Sequence, residues 1–167
     1  TLKVGDPLDD ETDVSALISV AERERVRSWI DEAISEGGRV VSGGSTNTDD
    51  VLMPTIVVDA TPNMKICARE VFGPVVAVTT YDDVNEALGV ANDSDFGLQA
   101  AIFTSNIATA LSAIRSLDYG GVVVNDVPTF RADQQPYGGL RDSGNTREGP
   151  AYSVREMTEI RMVIIGA

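Results

Sequence analysis

Apolar positions in this chain change period several times, and each change marks an element. Val26, Trp29, Ile30, Ala33 and Ile34 recur at i, i+3, i+4, i+7 and i+8, the stripe of a helix that buries one face. Ser19 and Glu22 precede it with the S-x-x-E spacing of a capping box, which satisfies two donors left open at a helix start. Gly37-Gly38 closes it, because glycine enters the left-handed region cheaply. The spacing predicts a helix over 20–36. Residues 1–18, with Gly5, Pro7 and the acidic run Asp9-Asp10-Glu11-Thr12-Asp13, read as a solvated loop. Downstream come a short strand at Arg39–Ser42, a turn-rich region at 43–50 and an extended run over Thr55–Val58. Pro62 and Asn63 break the chain before Met64–Arg69, whose pattern fixes no element type.

The second half is more regular. Val75–Thr80 is β-branched and reads as a strand; Asp83 and Glu86 then open a helix with Val84, Ala87, Leu88 and Ala91 on its inner face. Ala100–Thr104 is another short strand, and Ser105 or Asn106 caps a helix carrying Ile107, Ala110, Leu111, Ile114 and Leu117. Gly120-Gly121 leads into Val122–Val124, an uninterrupted apolar run of the kind found in strands buried on both sides. This β-α-β-α-β order predicts an α/β fold with a parallel sheet and right-handed crossovers. Such sheets bind ligands beyond the C-terminal ends of their strands, which points to Asn125–Arg131 and the glycine-rich segment after it. A helix over 148–157 and an apolar strand, Ile160–Ile165, close the pattern.

Composition narrows the chemistry. Among 167 residues there are 26 acidic and 13 basic side chains, a net charge of −13 that argues against nucleic acid or an anionic membrane as the main partner. No histidine is present, so neither a Ser-His-Asp nor a Cys-His pair can form, and one cysteine leaves no internal disulfide or CxxC metal site. No metal site is expected. The single thiol fits a reducing, cytoplasmic compartment. No apolar run approaches the ~20 residues of a spanning helix.

Candidate groups are few. Cys67 is the only soft nucleophile, yet with only Arg69 to help lower its pKa and no histidine as partner it reads as a small buried or semi-buried residue. Gly138-Gly139-Leu140-Arg141-Asp142-Ser143-Gly144 matches no phosphate loop and reads as a turn-rich connection. Arg131, on the expected ligand edge, is suited either to bidentate recognition of a carboxylate or phosphate or to a surface ion pair. These residues alone specify no reaction.

Glu70-Val71-Phe72-Gly73-Pro74, followed by a strand, resembles the nicotinamide-side signature of the aldehyde dehydrogenase superfamily. Four further stretches fall in that family's order: Val4-Gly5-Asp6-Pro7-Leu8-Asp9; Asn92-Asp93-Ser94-Asp95-Phe96-Gly97-Leu98; Pro136-Tyr137-Gly138-Gly139 with Ser143-Gly144; and Arg147-Glu148. The loop Asn125-Asp126-Val127-Pro128-Thr129-Phe130-Arg131 is most like those of lactaldehyde and related short-chain enzymes. The resemblance implies a parallel, doubly wound sheet and NAD(P)-dependent oxidation of an aldehyde to a carboxylic acid. In that reaction a cysteine thiolate attacks the carbonyl, hydride leaves to the nicotinamide, and a glutamate activates water to hydrolyse the thioester.

By resemblance, Glu70 accepts hydrogen bonds from the nicotinamide-ribose hydroxyls of NAD or NADP, and Phe72 packs beside the nicotinamide. Asn125, Phe130 and Arg131 then line the aldehyde site, and the strand Ile160–Ile165 is an arm that pairs with another subunit of a homo-oligomer. The expected organisation is the C-terminal portion of a catalytic domain over 1–157 and the arm over 158–167. The family's nucleophilic cysteine, general-base glutamate, oxyanion-hole asparagine and main cofactor segment precede the Val-Gly-Asp-Pro stretch, so no catalytic residue carries over to this chain. Cys67 does not occupy the nucleophile's position. The chain by itself is expected to be inactive.

Two departures stand out. Arg69 replaces an acid common before the matched glutamate, and Thr146 stands where glycine usually precedes Arg-Glu, which is strained if that position requires positive φ. The alternative to an enzyme fragment is a non-catalytic assembly or ligand-binding module that keeps the fold.

Overall fold

Ser19 starts the first helix as its spacing requires. In the computed structural model, which describes residues 2–166, its Oγ accepts from the Glu22 N–H at 3.2 Å, and α1 runs Val20–Ser35. Only half of the capping box forms, because the Glu22 carboxylate pairs with Arg25 at 2.7 Å instead of turning back. The chain divides into two units, Thr1–Asp82 and Asp83–Ala167.

In the first unit, β1 (Arg39–Ser42), β2 (Thr55–Val58) and β3 (Val75–Ala77) form a sheet in that order, antiparallel then parallel. A four-residue helix α2, Lys65–Ala68, precedes β3 and resolves the undetermined segment. Val26 and Ile30 of α1 meet Leu52, while Ala33 joins Val57, Ala60, Met64 and Ile66. Each fully enclosed side chain of this kind, such as Ile30 or Leu52 at 0% exposure, contributes about 1.5–3 kcal/mol through removal from water. The buried Thr55 hydroxyl donates to the Met53 carbonyl and accepts from the Gly44 N–H, so its desolvation is offset.

The second unit contains α3 (Val84–Asn92), β4 (Phe96–Gly97), β5 (Gln99–Ile102), α4 (Ile107–Ser116), β6 (Gly121–Val124), β7 (Leu140–Arg141) and α5 (Pro150–Glu156). Asp83 caps α3 through the Asn85 N–H, and Asn106 rather than Ser105 caps α4 through Ala108 and Thr109. β5-α4-β6 is a parallel crossover unit in the register Ala100↔Val122, and β4 pairs antiparallel with β7. Leu88, Ala113 and Leu117 bring α3 and α4 onto Ala100, Ile102 and Val122.

The α/β class and most element positions agree with the sequence pattern; several details do not. β3 is hydrogen-bonded to β2, so the three strands expected in one ladder lie in two sheets. Val122–Val124 is half-buried rather than enclosed, since β6 has a single strand neighbour. Helix α5 begins at Pro150, not Glu148, because the Glu148 backbone is bridged to Tyr137. Residues 158–166 form no strand. A strand exists only by ladder bonds to a neighbour, and none lies alongside them among the described residues. The terminal positions 1 and 167 of the expected organisation lie outside the described residues. Thr146 escapes the feared strain, because the positive φ falls at Gly144. No helix among the described residues is long and apolar enough to cross a membrane.

Candidate functional site

The loop before β3 in the first unit is anchored at Val71 and Pro74. Val71 packs its side chain into both core clusters, and its carbonyl accepts from the Arg25 guanidinium at 2.8 Å. Arg25 is itself held by Glu22 and lies over the Trp29 ring at 4.5 Å. The Pro74 carbonyl accepts from the Thr55 N–H at 2.8 Å. Between these anchors Phe72 takes φ = +50°, a region costly for a bulky L-residue. Its side chain is thrown outward and stays 77% exposed. Glu70 is also exposed, and its carboxylate makes no ion pair or hydrogen bond among the described residues. Arg69, beside it in sequence, is exposed and does not pair with it. The loop thus presents an unpaired two-oxygen acceptor and a bare aromatic ring from a rigid base.

Cys67 is exposed, not buried or semi-buried as its sequence setting suggests, because the short α2 turns Ile66 inward and leaves Cys67 outside. Its thiol is nonetheless desolvated enough to raise its pKa above the ordinary thiol value. A nucleophilic cysteine needs the opposite shift.

In the second unit the loop after β6 carries the other expected residues. Asn125 sits at φ = +60°, a conformation its short amide tolerates. Its side chain is engaged at both ends: Oδ1 accepts from the Thr104 N–H at 2.8 Å and Nδ2 donates to the Thr104 carbonyl at 3.0 Å. It ties the end of β6 to the end of β5 and thereby aims the loop. Phe130 is half-exposed and lines an open groove of about 410 Å³ along β6, together with Gln99, Val124, Tyr137 and Gly138. Arg131 is in an ion pair with Glu148 at 2.6 Å and lies over the Tyr137 ring at 4.3 Å. Of the two roles open to Arg131 from sequence, the ion pair is present.

Arg141 is a residue that sequence reasoning passed over. From φ = +54° its guanidinium donates to the carbonyls of Asn92 (2.7 Å), Ser94 (2.8 Å) and Asp118 (2.9 Å). Asn92 in turn donates to the Ser116 carbonyl and accepts from the Asp118 N–H, closing the end of α4. Ser143 Oγ accepts from the Gly97 N–H. Asn92, Phe96-Gly97 and Arg141–Ser143 therefore form one structural knot. A hint existed in sequence, in that an arginine embedded among turn residues near helix ends can satisfy the carbonyls those ends leave open.

The model of the aldehyde dehydrogenase family matches residues 1–163. The chain is 43% identical over 164 residues to the 3-sulfolactaldehyde dehydrogenase of Priestia aryabhattai, covering 98% of this chain and 34% of that protein. It is 42% identical to the lactaldehyde dehydrogenase of Methanococcus aeolicus, covering 98% and 35% respectively. The crystal structure of the glyceraldehyde-3-phosphate dehydrogenase GapN of Methanocaldococcus jannaschii, complexed with NADP, superimposes with a TM-score of 0.92 at 40% identity, over 98% of this chain and 35% of that one. The chain spans about a third of the length of the relatives it matches. With a match along nearly its whole length and a fold shared with solved members, the chain belongs to the aldehyde dehydrogenase family.

Proposed function

We propose that this chain supplies the nicotinamide-side loop and one wall of the aldehyde site to an NAD(P)-dependent aldehyde dehydrogenase, and contains none of the groups that attack the aldehyde or hydrolyse the thioester. The observation that carries the reading is Phe72, a bulky residue held at positive φ with its ring exposed. Strain of about 1–3 kcal/mol at an exposed position gives the fold nothing, and such strain collects at ligand sites. Glu70 beside it, an unpaired carboxylate, suits two vicinal hydroxyls. These groups fit a nicotinamide riboside: Glu70 holds the ribose and Phe72 restricts the ring. NAD(P), when bound, supplies the hydride acceptor.

Asn125 acts by positioning its loop, whereas Phe130 and Arg131 face the substrate. The names of the relatives, 3-sulfolactaldehyde and lactaldehyde dehydrogenases, favour a short hydroxylated or anionic aldehyde. In the complete enzyme containing this segment, Glu70→Gln and Phe72→Gly are each expected to weaken NAD(P) binding about tenfold, the loss of one charge-assisted contact or one packed ring. Phe72→Gly leaves thermal stability unchanged or raises it by relieving strain. Cofactor titration by calorimetry, set beside melting curves, separates the two effects. Unchanged affinity in both variants refutes this placement.

Residues 158–166 are proposed as an assembly arm. Ile160, Met162, Val163, Ile164 and Ile165 are all highly exposed, and an apolar segment without a ladder neighbour recruits one. Deleting 158–166 is expected to lower the oligomeric mass measured by light scattering; an unaltered mass rejects the arm.

A further inference from the structure

Phe72 keeps φ = +50° at an exposed position, and a conformation of that cost persists only where its surroundings hold it. The peptide joining Val71 to Phe72 is the unit whose orientation sets that angle. Its carbonyl is the one gripped from α1, where Arg25 Nη2 donates to it at 2.8 Å. The guanidinium has little freedom of its own: Nε donates to Glu22 Oε2 at 2.8 Å, and its face lies over the Trp29 ring at 4.5 Å. With its side chain 28% exposed, Arg25 is partly shielded from water, which favours this charge-assisted bond. Beyond Phe72 the chain is pressed onto the same helix, since a Cβ at Gly73 would meet Val26 Cγ2 at 3.2 Å and Leu17 Cδ2 at 3.4 Å. The Val71 side chain, sunk in both core clusters, fixes where the loop sits but not which way its peptide faces. Because the peptide is trans, the Phe72 N–H points away from Arg25, and it meets no acceptor among the described residues. No bond on that side opposes a rotation.

From this arrangement we infer that Arg25 is a positioning residue that latches the Val71–Phe72 peptide in its strained orientation. The latch keeps Phe72 at positive φ and makes the loop present an N–H there, not a carbonyl. Released, the peptide rotates, φ of Phe72 returns to the negative region, and a carbonyl takes the place of the N–H. A free main-chain donor favours an anionic nucleotide, and a carbonyl turned the same way repels it. Glu22 and Trp29 serve the latch by fixing the plane of the guanidinium. This rests on the nicotinamide-side reading of the loop and deepens it, by tying cofactor affinity to a helix side chain that does not itself touch the cofactor.

The test uses the complete enzyme containing this segment. Arg25→Gln is expected to raise the calorimetric Kd for NAD(P) about tenfold, the worth of one charge-assisted bond to a carbonyl. KM for NAD(P) rises with it, while kcat at saturating cofactor changes less than about twofold. Phe72→Gly supplies the decisive background, because glycine holds positive φ without a latch. There Arg25→Gln is expected to cost less than about twofold in affinity, yet to lower the melting temperature more than it does in the parent, since no strain is relieved when the latch opens. Arg25→Lys keeps the charge opposite Glu22 but cannot serve Glu22 and the Val71 carbonyl from one plane. Its expected loss is about threefold, and it decides the question should the glutamine variant fail to fold. An equal loss of affinity in both backgrounds makes Arg25 a direct cofactor ligand and overturns the inference. A lowered melting temperature with unchanged affinity makes it a structural clamp only and overturns it as well. In both cases the losses in Glu70→Gln and Phe72→Gly stand, and with them the proposed function. Unchanged affinity in those two variants themselves overturns both.

Discussion

Gly120→Ala is expected to unfold the second unit or cost it more than about 4 kcal/mol, beyond the range of most single substitutions. A Cβ built at this position would lie 1.7 Å from the Gly138 carbonyl oxygen, 2.7 Å from its carbonyl carbon and 3.1 Å from Gly139 Cα. All three obstacles are main chain, so no rotamer change relieves the clash. Retreat is also blocked from behind, because Gly138 is itself packed so closely that a Cβ there would meet the Thr146 carbonyl at 2.1 Å. The strand start at Gly120-Gly121 and the Tyr137–Gly139 segment are thus held backbone to backbone, and the groove beside Phe130 takes its shape from that approach. Gly89→Ala is the matched control: it adds the same methyl inside α3, where nothing lies within 4 Å. It is expected to stabilise by up to about 1 kcal/mol through helix propensity. Urea denaturation of the two variants decides the matter; a Gly120→Ala midpoint equal to the parent's would show that the main-chain approach is not rigid.

Arg141→Met is expected to cost about 2–4 kcal/mol. Its guanidinium serves three carbonyls from separate segments, those of Asn92, Ser94 and Asp118. A charged donor to a carbonyl is worth more than a neutral one, but Arg141 is exposed and water replaces part of each bond, hence a sum below three full contacts. Methionine keeps the apolar stem and removes the fork, so the loss reports the three hydrogen bonds together with the guanidinium's contact with the Tyr119 ring at 5.5 Å. Arg141→Lys should recover less than half of it, since a single ammonium does not span three acceptors in the guanidinium's plane. Hydrogen exchange offers a second readout: amides near Asn92, Asp118 and Gly97 should lose protection together. Loss confined to residues next to Arg141 would mean that the knot is not a unit.

Both variants bear on how family motifs should be understood here. Phe96-Gly97, Pro136–Gly139 and Ser143 lie in or beside the knot and the close backbone approach, and do their work as structure. Glu70 and Phe72, by contrast, contribute no contact the fold needs. A motif-bearing residue that the fold does not use is the better candidate for chemistry, and in this chain that criterion separates the loop before β3 from the glycine-rich segment.

Features that depend on neighbours a few positions away were legible in the chain's local patterns. The stripe through Val26, Ile30 and Ala33, the caps at Ser19, Asp83 and Asn106, and the apolar runs at Thr55–Val58 and Val122–Val124 are local patterns, and their elements stand where those patterns put them. Motif order also carried the family. Features that depend on residues far apart in the chain emerged with the folded arrangement. It paired β3 with β2 instead of extending the β5–β6 ladder, since ladder partners are chosen by packing of whole surfaces and not by strand composition. It left 158–166 without a strand, because a ladder requires a second strand that no residue pattern can supply. It put Cys67 outside, joined Arg131 to Glu148 across 17 positions and Arg141 to Asn92 across 49. Each of those contacts is made by a long side chain reaching another segment's backbone or carboxylate, and sequence periodicity is blind to where such a segment passes.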